Sequence, residues 1–507
     1  MSAAGIKQHL ADWRNWELNP IVIKELRQAV RSWAVVAMLV LFLVVLFLTS
    51  LWFLVTQSFT VDADIQLGGS MFSAFIVILA MASVFFIPLY VGVRVAMERQ
   101  ENNPDLLYVS TLSPARIIRG KFFCGAYMAL LFFSACMPFM AFTNLLRGVD
   151  LPTVFLILAF LYLVVCAANM VAIFLACLPV SRPFKFLFVI YGIFQSFGII
   201  ASLVGISFNM MRSGMGAMMT GRDFWVNVAM FLALGLAGTG LFYVLAVALV
   251  APPSANRALP VRIYVTAIWV LGGLASFSWT LQSGSPDRLL PWLFVTFVVM
   301  LAALLVTISN ADELSLRVRR TIPQSFIRRA VAFLFYNGAA GGLLWIAGIL
   351  AVTYFAVLAG RSLGTKFDFD ENWYWFGPTV CYAFAYALLG LLVHRKFLSR
   401  RAPKVAGLLA VLLAGGWAVV PSVVLFFLNR LTWTSVQQMQ PGNIFNIFTL
   451  RDNELRLEHL YCSVVLLGLL LVLNFRWFAR QVQAFRPPGP TPKPGPVAPA
   501  VPPPIPQ

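Results

Sequence analysis

Long apolar runs, each followed by a short polar segment, repeat along the whole chain. Read for stretches able to cross about 30 Å of hydrocarbon, the pattern predicts twelve spanning helices. They lie over residues 33–55, 70–93, 122–144, 152–180, 186–207, 225–250, 263–281, 291–308, 331–358, 375–393, 405–428 and 460–475. Asp, Glu, Lys, Arg and His fall in loops or at span ends, and none sits well inside a span. No short hydrophobic segment with a small-residue cleavage site precedes residue 33, so the first run is expected to stay as a span. The fold class expected is therefore an all-α polytopic membrane protein.

The polar segments carry their own local signals. Asn19-Pro20 opens a helix, because the Asn side chain can accept a backbone N–H and proline at the first helical position forfeits no bond. Beyond it Ile23, Leu26 and Val30 recur on one face, while Lys24, Glu25, Arg27, Gln28 and Arg31 cover the rest. That is an interfacial amphipathic helix leading into span one, either a basic membrane anchor or a docking helix. The loop 94–121 contains two further starts of the same kind. Asn103-Pro104 begins a short helix through Asp105, Leu106, Leu107 and Tyr108, and Ser113-Pro114 begins the helix that runs through Ile117 and Ile118 into span three.

Composition sharpens this picture. With 60% hydrophobic and 11% charged residues and a mean hydropathy of +0.85, the chain has too little polar surface to cover a soluble core of its length. Its net charge of +18 follows the positive-inside bias. If the N-terminus is cytoplasmic, 28 of the 37 Lys and Arg fall in cytoplasmic segments and 9 in the opposite loops. The acids divide 8 and 11, for net charges of +20 and −2. Both termini are thus expected in the cytoplasm, and attraction to an anionic leaflet accounts for the basicity without nucleic acid. Cys124, Cys136, Cys166, Cys177, Cys381 and Cys462 fall in or beside spans without Cys-x-x-Cys spacing, and His9, His394 and His459 are scattered, so no metal site is expected.

The run from Glu98 to Lys121 resembles the first cytoplasmic loop of type-2 ATP-binding cassette (ABC) transporter permeases. The likeness lies in Met97-Glu98-Arg99, the Asp105-Leu106-Leu107 helix, the Leu-Ser113-Pro114 break and Gly120-Lys121 leading into the next span. Asn102-Asn103 stands where the family usually has Gly-Thr. The stretch Asn19-Pro20 through Lys24, Glu25, Arg27 and Arg31 is similar to the family's N-terminal connecting helix. The resemblance covers residues 15–205 and implies an exporter-like permease in the cytoplasmic membrane. Loop 94–121 would hold the coupling helix, with Leu106 and Leu107 in a groove on the ATPase and Glu98, Arg99 and Asp105 setting its orientation. ATP and Mg would be bound by that partner subunit, and this chain would be no enzyme itself.

What is absent agrees with borrowed energy. Ion-coupled transporters place ionisable groups or broken helices near the midplane, and the spans lack such groups. No Gly-x-x-x-x-Gly-Lys-Ser/Thr loop is present; the closest string, from Gly360 to Lys366, has the wrong spacing. The alternatives are an ion-coupled secondary transporter, a membrane-embedded transferase built on the acidic segments 366–371 and 451–459, and a non-transporting scaffold. The chain divides into the connecting helix over 1–32, a permease-like six-span domain over 33–250, a second six-span region over 251–478 and a Pro-rich tail over 479–507. Thr321-Ile-Pro-Gln-Ser-Phe-Ile-Arg-Arg echoes Thr111-Leu-Ser-Pro-Ala-Arg-Ile-Ile-Arg. Chance and a six-plus-six duplication both account for that echo, so a homodimer and a single-chain pseudo-dimer both stand. Gly338-Ala-Ala-Gly-Gly342 is expected to be a close-packing patch inside span nine.

Overall fold

The computed structural model describes residues 20–57, 67–101, 113–146, 149–179, 182–213, 221–284, 286–310, 314–361, 375–399 and 402–487, the last without 403–404, 429, 431, 433–439, 449 and 451–452. Helix makes up 88%, with no strand among the described residues. Eleven of these helices are long and apolar enough to cross a membrane, so the chain is a multi-pass membrane protein. The span expected at 186–207 is helical within Arg182–Ser213, where the described apolar stretch is Val189–Ser202.

The chain forms two compact units, Met1–Pro252 and Pro253–Gln507. In the first, α1 (Pro20–Val30) turns at Arg31-Ser32 into α2 (Trp33–Gln57). α2 is apolar all round, yet only Val35, Phe42 and Leu46 are buried, at the seven- and eleven-residue spacing of one helix face. Val36, Val40, Phe47 and Trp52 are exposed on the other faces, as a lipid-facing helix requires. A long rod, α3, runs through Leu67–Met81, a π-helical turn over Ala82–Phe86, and Ile87–Glu101. α4 (Pro114–Leu145), α5 (Leu151–Cys177), α6 (Arg182–Ser213) and α7 (Arg222–Val250) follow. α5 is the hub, packed against α3, α4 and α7. The core between them is aromatic and sulfur-rich, with Phe72, Phe75, Phe132 and Met140 fully buried and Phe42 on Phe132 at 5.3 Å.

The second unit holds α8 (Ala258–Ser283), α9 (Leu290–Ile308), the short helices α10 (Leu316–Arg320) and α11 (Phe326–Phe335), then α12 (Ala339–Arg361). α13 (Phe376–Val393, continued by a π-helical turn over His394–Leu398), α14 (Ala406–Phe427) and α15 (Asn453–Ala484) complete it. α13 packs on α14 and α15, and α9 on α12.

Span nine corrects an expectation. Residues 331–358 do not form one helix: α11 ends at Phe335 and α12 starts at Ala339. Gly338 at the break has φ +138°, a conformation that disfavours a side chain. The carbonyls of the corner are not orphaned: the buried Arg262 of α8 donates to Leu334, Tyr336 and Gly338 at 2.7, 2.8 and 3.2 Å, and Gly338 also accepts from Gly342 N–H. Asn337 adds a second clamp, donating its N–H to Asn256 Oδ1 and accepting from Ala258 N–H. Within the small-residue patch, Gly341 lets α11 approach: a Cβ there would lie 1.9 Å from the Phe333 carbonyl. The patch therefore seats a helical corner at the start of α12 and does not lie in the middle of a continuous span.

Candidate functional site

One residue singled out in α1, one at the end of α3 and one at the start of α4 meet in one place: Glu25, Glu98 and Lys121. α1 packs mainly on α4, burying Val22, Glu25 and Ala29 while Leu26 rests on the core. This corrects the face read from the sequence. Ile23 and Val30 form an exposed apolar edge, whereas Glu25, grouped with the polar face, is turned into the protein and is only 6% exposed. Lys24, Arg27 and Arg31 are exposed, so α1 presents an apolar edge beside a basic one on its outer side. Pro20 is its first residue, and Asn19 lies outside the described residues.

The reason for Glu25's burial is Lys121. Its Nζ lies 3.0 Å from Glu25 Oε1 and forms a second, tighter pair with Glu98 Oε2. Lys121 and Glu25 are both nearly inaccessible, and the Glu98 side chain keeps about a third of its exposure. A second bond line runs parallel: Arg94 donates to Gln28 Oε1 of α1 at 2.7 Å and to Tyr90 Oη at 2.8 Å. Glu25 and Gln28 are three apart on α1, while Tyr90, Arg94 and Glu98 are spaced by four along α3, so each set shares a helix face. The Arg94 guanidinium also interacts electrostatically with Glu25 and Glu98. Two carboxylates thus meet two cations, and the junction is neutral overall. That balance matters most at Lys121 and Glu25, the two nearly inaccessible members.

α4 is held at the same level by other groups. Ser113 caps its start through its backbone carbonyl, accepting from Arg116 N–H at 2.9 Å, and the Ser113 side chain stays out of the cap. Pro114 occupies the first turn, Gly120 is buried beside Lys121, and Tyr243 Oη of α7 donates to the Ala115 carbonyl at 3.4 Å. One turn deeper, the buried Asn169 of α5 donates to the Phe122 carbonyl at 3.2 Å. Its amide fits only because residue 125 is glycine, where a Cβ would come within 2.2 Å of it. The start of α4 is therefore fixed to α1, α3, α5 and α7.

The helix α3 extends eight residues past the expected end of its span, so Glu98 and Arg99 belong to a continuous rod and not to a loose loop. The expected short helix with Asp105, Leu106 and Leu107 lies outside the described residues, as does the acidic segment 366–371. Of the alternative acidic segment 451–459, the described part is the first turns of α15, where His459 is buried with Nδ1 3.4 Å from Tyr382 Oη. Among the described residues no three His, Cys, Asp or Glu side chains come together as a metal site. The cluster around Lys121 joins three helices through charged contacts, so displacing α1, the end of α3 or the start of α4 breaks one of them. Sequence reasoning missed Arg94, Gln28 and Tyr90, although the Tyr90-Arg94-Glu98 spacing was a usable signal. Compared with protein-family models, with curated proteins and with solved structures, the chain matches none.

Proposed function

We propose that this chain is the membrane-spanning permease subunit of an ABC transporter. In this reading it moves a substrate out across the cytoplasmic membrane, with ATP and Mg bound and hydrolysed by a separate nucleotide-binding subunit. The observation that carries it is the Glu25–Lys121–Glu98 cluster, buried at Lys121 and Glu25 and part-exposed at Glu98. A permease driven from outside needs a rigid part that receives a stroke at the membrane surface and passes it to several helices at once. The segment between α3 and α4 is the docking element in this proposal, and both of its flanking helices are joined to α1 by that cluster. A push on the segment then moves α1, α3 and α4 together. The positive-inside distribution supports a cytoplasmic side for this junction and for both termini.

The test is co-expression with the ATPase subunit, followed by co-purification and coupled ATP hydrolysis. Burying one leucine in a partner groove contributes about 1.5–3 kcal/mol. Leu107→Asp is therefore expected to weaken ATPase association about tenfold to a hundredfold, with the membrane region still folded. Association and transport left intact by Leu107→Asp would overturn the proposal, as would ATP hydrolysis by the purified chain alone.

A further inference from the structure

α11 is not a span, yet it leaves most of its apolar side chains outside the protein. On its inner side Ala332 is buried, and the Phe333 ring meets Phe485 at 5.3 Å and Phe478 at 6.5 Å. On the other side Phe326 and Ile327 are each 76% exposed, Val331 is 52% exposed and Ala330 is exposed as well. Spacings of three and four place these residues on one stripe of the helix.

The ends of the neighbouring spans fix the height at which this stripe stands. α12 begins at Ala339, just after α11 ends. Its 22 spanning residues measure about 33 Å, close to the thickness of the hydrocarbon core, so Ala339 lies at the edge of that core. Other contacts tie α11 to the same level. Arg262, in the first turns of α8, donates to the Leu334 carbonyl at 2.7 Å, and Phe485, directly after the end of α15, packs on Phe333 and Tyr336. α11 therefore stands where α8 and α12 enter the membrane and α15 leaves it. The polar part of the segment is cationic. Arg328 of α11 and Arg317 and Arg320 of α10 are exposed, and residues 309–338 hold five arginines against Asp312 and Glu313. The end of α10 sits beside the corner, because Tyr336 Oη donates to the Thr321 carbonyl at 3.1 Å. A bare apolar stripe next to arginines, at the height where acyl chains give way to headgroups, matches a helix lying in an anionic membrane surface.

We infer that α11 is an interfacial helix whose partner is the anionic headgroup layer of the bilayer. Phe326, Ile327 and Val331 insert among the upper acyl carbons, and Arg328, with Arg317 and Arg320 of α10, faces lipid phosphates. The stripe is thereby covered by lipid and not by another protein. This reading is independent of the transport proposal, since any multi-pass protein with this corner would meet the same surface.

The full chain is purified and reconstituted in nanodiscs of phosphatidylcholine, alone or with added phosphatidylglycerol. Amide hydrogen exchange of the α11 peptide is followed by mass spectrometry, and lipids with a photoreactive group on the upper acyl chain report contact. Lipid adducts are expected on the stretch from Phe326 to Val331, and added phosphatidylglycerol is expected to slow exchange there. Arg328→Gln is expected to speed exchange about fivefold in phosphatidylglycerol, the effect of one cation at an anionic surface, and to change it little in phosphatidylcholine. Ile327→Asp is expected to lose the adducts and speed exchange in both lipids. Its melting temperature in detergent should match the parent's, because the Ile327 side chain is mostly outside the protein. The inference is overturned by an α11 without lipid adducts, by exchange that ignores phosphatidylglycerol, or by adducts that survive Ile327→Asp unchanged. It is equally overturned by an α11 that exchanges freely in nanodiscs and is protected only in membranes of the expressing cell, a result that would give the stripe to a protein partner.

Discussion

Replacing Lys121 by methionine tests the junction directly. The substitution keeps an unbranched side chain of similar length, so packing changes little and the loss is that of charge. It leaves Glu25, 6% exposed, without the ammonium that now stands 3.0 Å from it. At that distance and an effective dielectric constant of 20 the lost attraction is about 5.5 kcal/mol. Arg94 also interacts electrostatically with Glu25 and offsets part of this, so the loss expected is about 3–5 kcal/mol, the range for breaking a buried pair.

The assay is denaturant unfolding of the purified chain in detergent at pH 7, with proteolysis of the N-terminal segment as a local probe of α1. A loss below about 0.5 kcal/mol, less than even a solvent-screened pair commonly contributes, would refute the assignment of Lys121 and Glu25 as a buried pair.

Other expectations follow from the same structure. Arg262→Met strips the donor from three carbonyls at the α11–α12 corner and is expected to cost about 3 kcal/mol or more, while Arg262→Lys, which cannot span all three, recovers only part of it in the same unfolding assay. If both termini are cytoplasmic, cysteines placed at Asp64 and Asp370 will react with an impermeant maleimide in intact cells and those at Ser2 and Gln507 will not. Labelling of the two termini on opposite faces would sink that topology.

The spans were legible because lipid imposes a length and composition that few other segments share. Even so, the reading failed where polarity was local. Tyr336-Asn337-Gly338 breaks what looked like one apolar run, and the signal was there in a polar pair followed by glycine, masked by the long apolar stretch after it. Glu25 was misplaced for a different reason. Helical periodicity assigns a charged residue to the solvent side by default, and the partner that reverses this, Lys121, is 96 residues away in sequence. No window of local pattern can see such a pair. Arg94, by contrast, announces itself through its spacing with Tyr90 and with Glu98, a pattern hidden when the span is ended at residue 93.

The two carboxylates on Lys121 are not equivalent, and their difference separates a structural role from a mechanical one. Glu25 is nearly inaccessible and depends on Lys121; Glu98 keeps 35% of its side-chain exposure and has water as an alternative partner. Removing Glu98's charge should therefore cost about 1 kcal/mol or less, the range of a solvent-screened pair. Glu98→Gln is accordingly expected to fold and insert normally, with the denaturation midpoint almost unchanged. Glu98 is also the link to the end of α3, immediately before the segment proposed to dock the ATPase. If that segment drives the membrane helices, weakening this link loosens the connection without dismantling the junction. ATP hydrolysis in the reconstituted complex would continue while transport per ATP falls. Under a purely structural role, transport per ATP in Glu98→Gln would match the parent within error, and the three-helix junction would then be a brace and not a transmission.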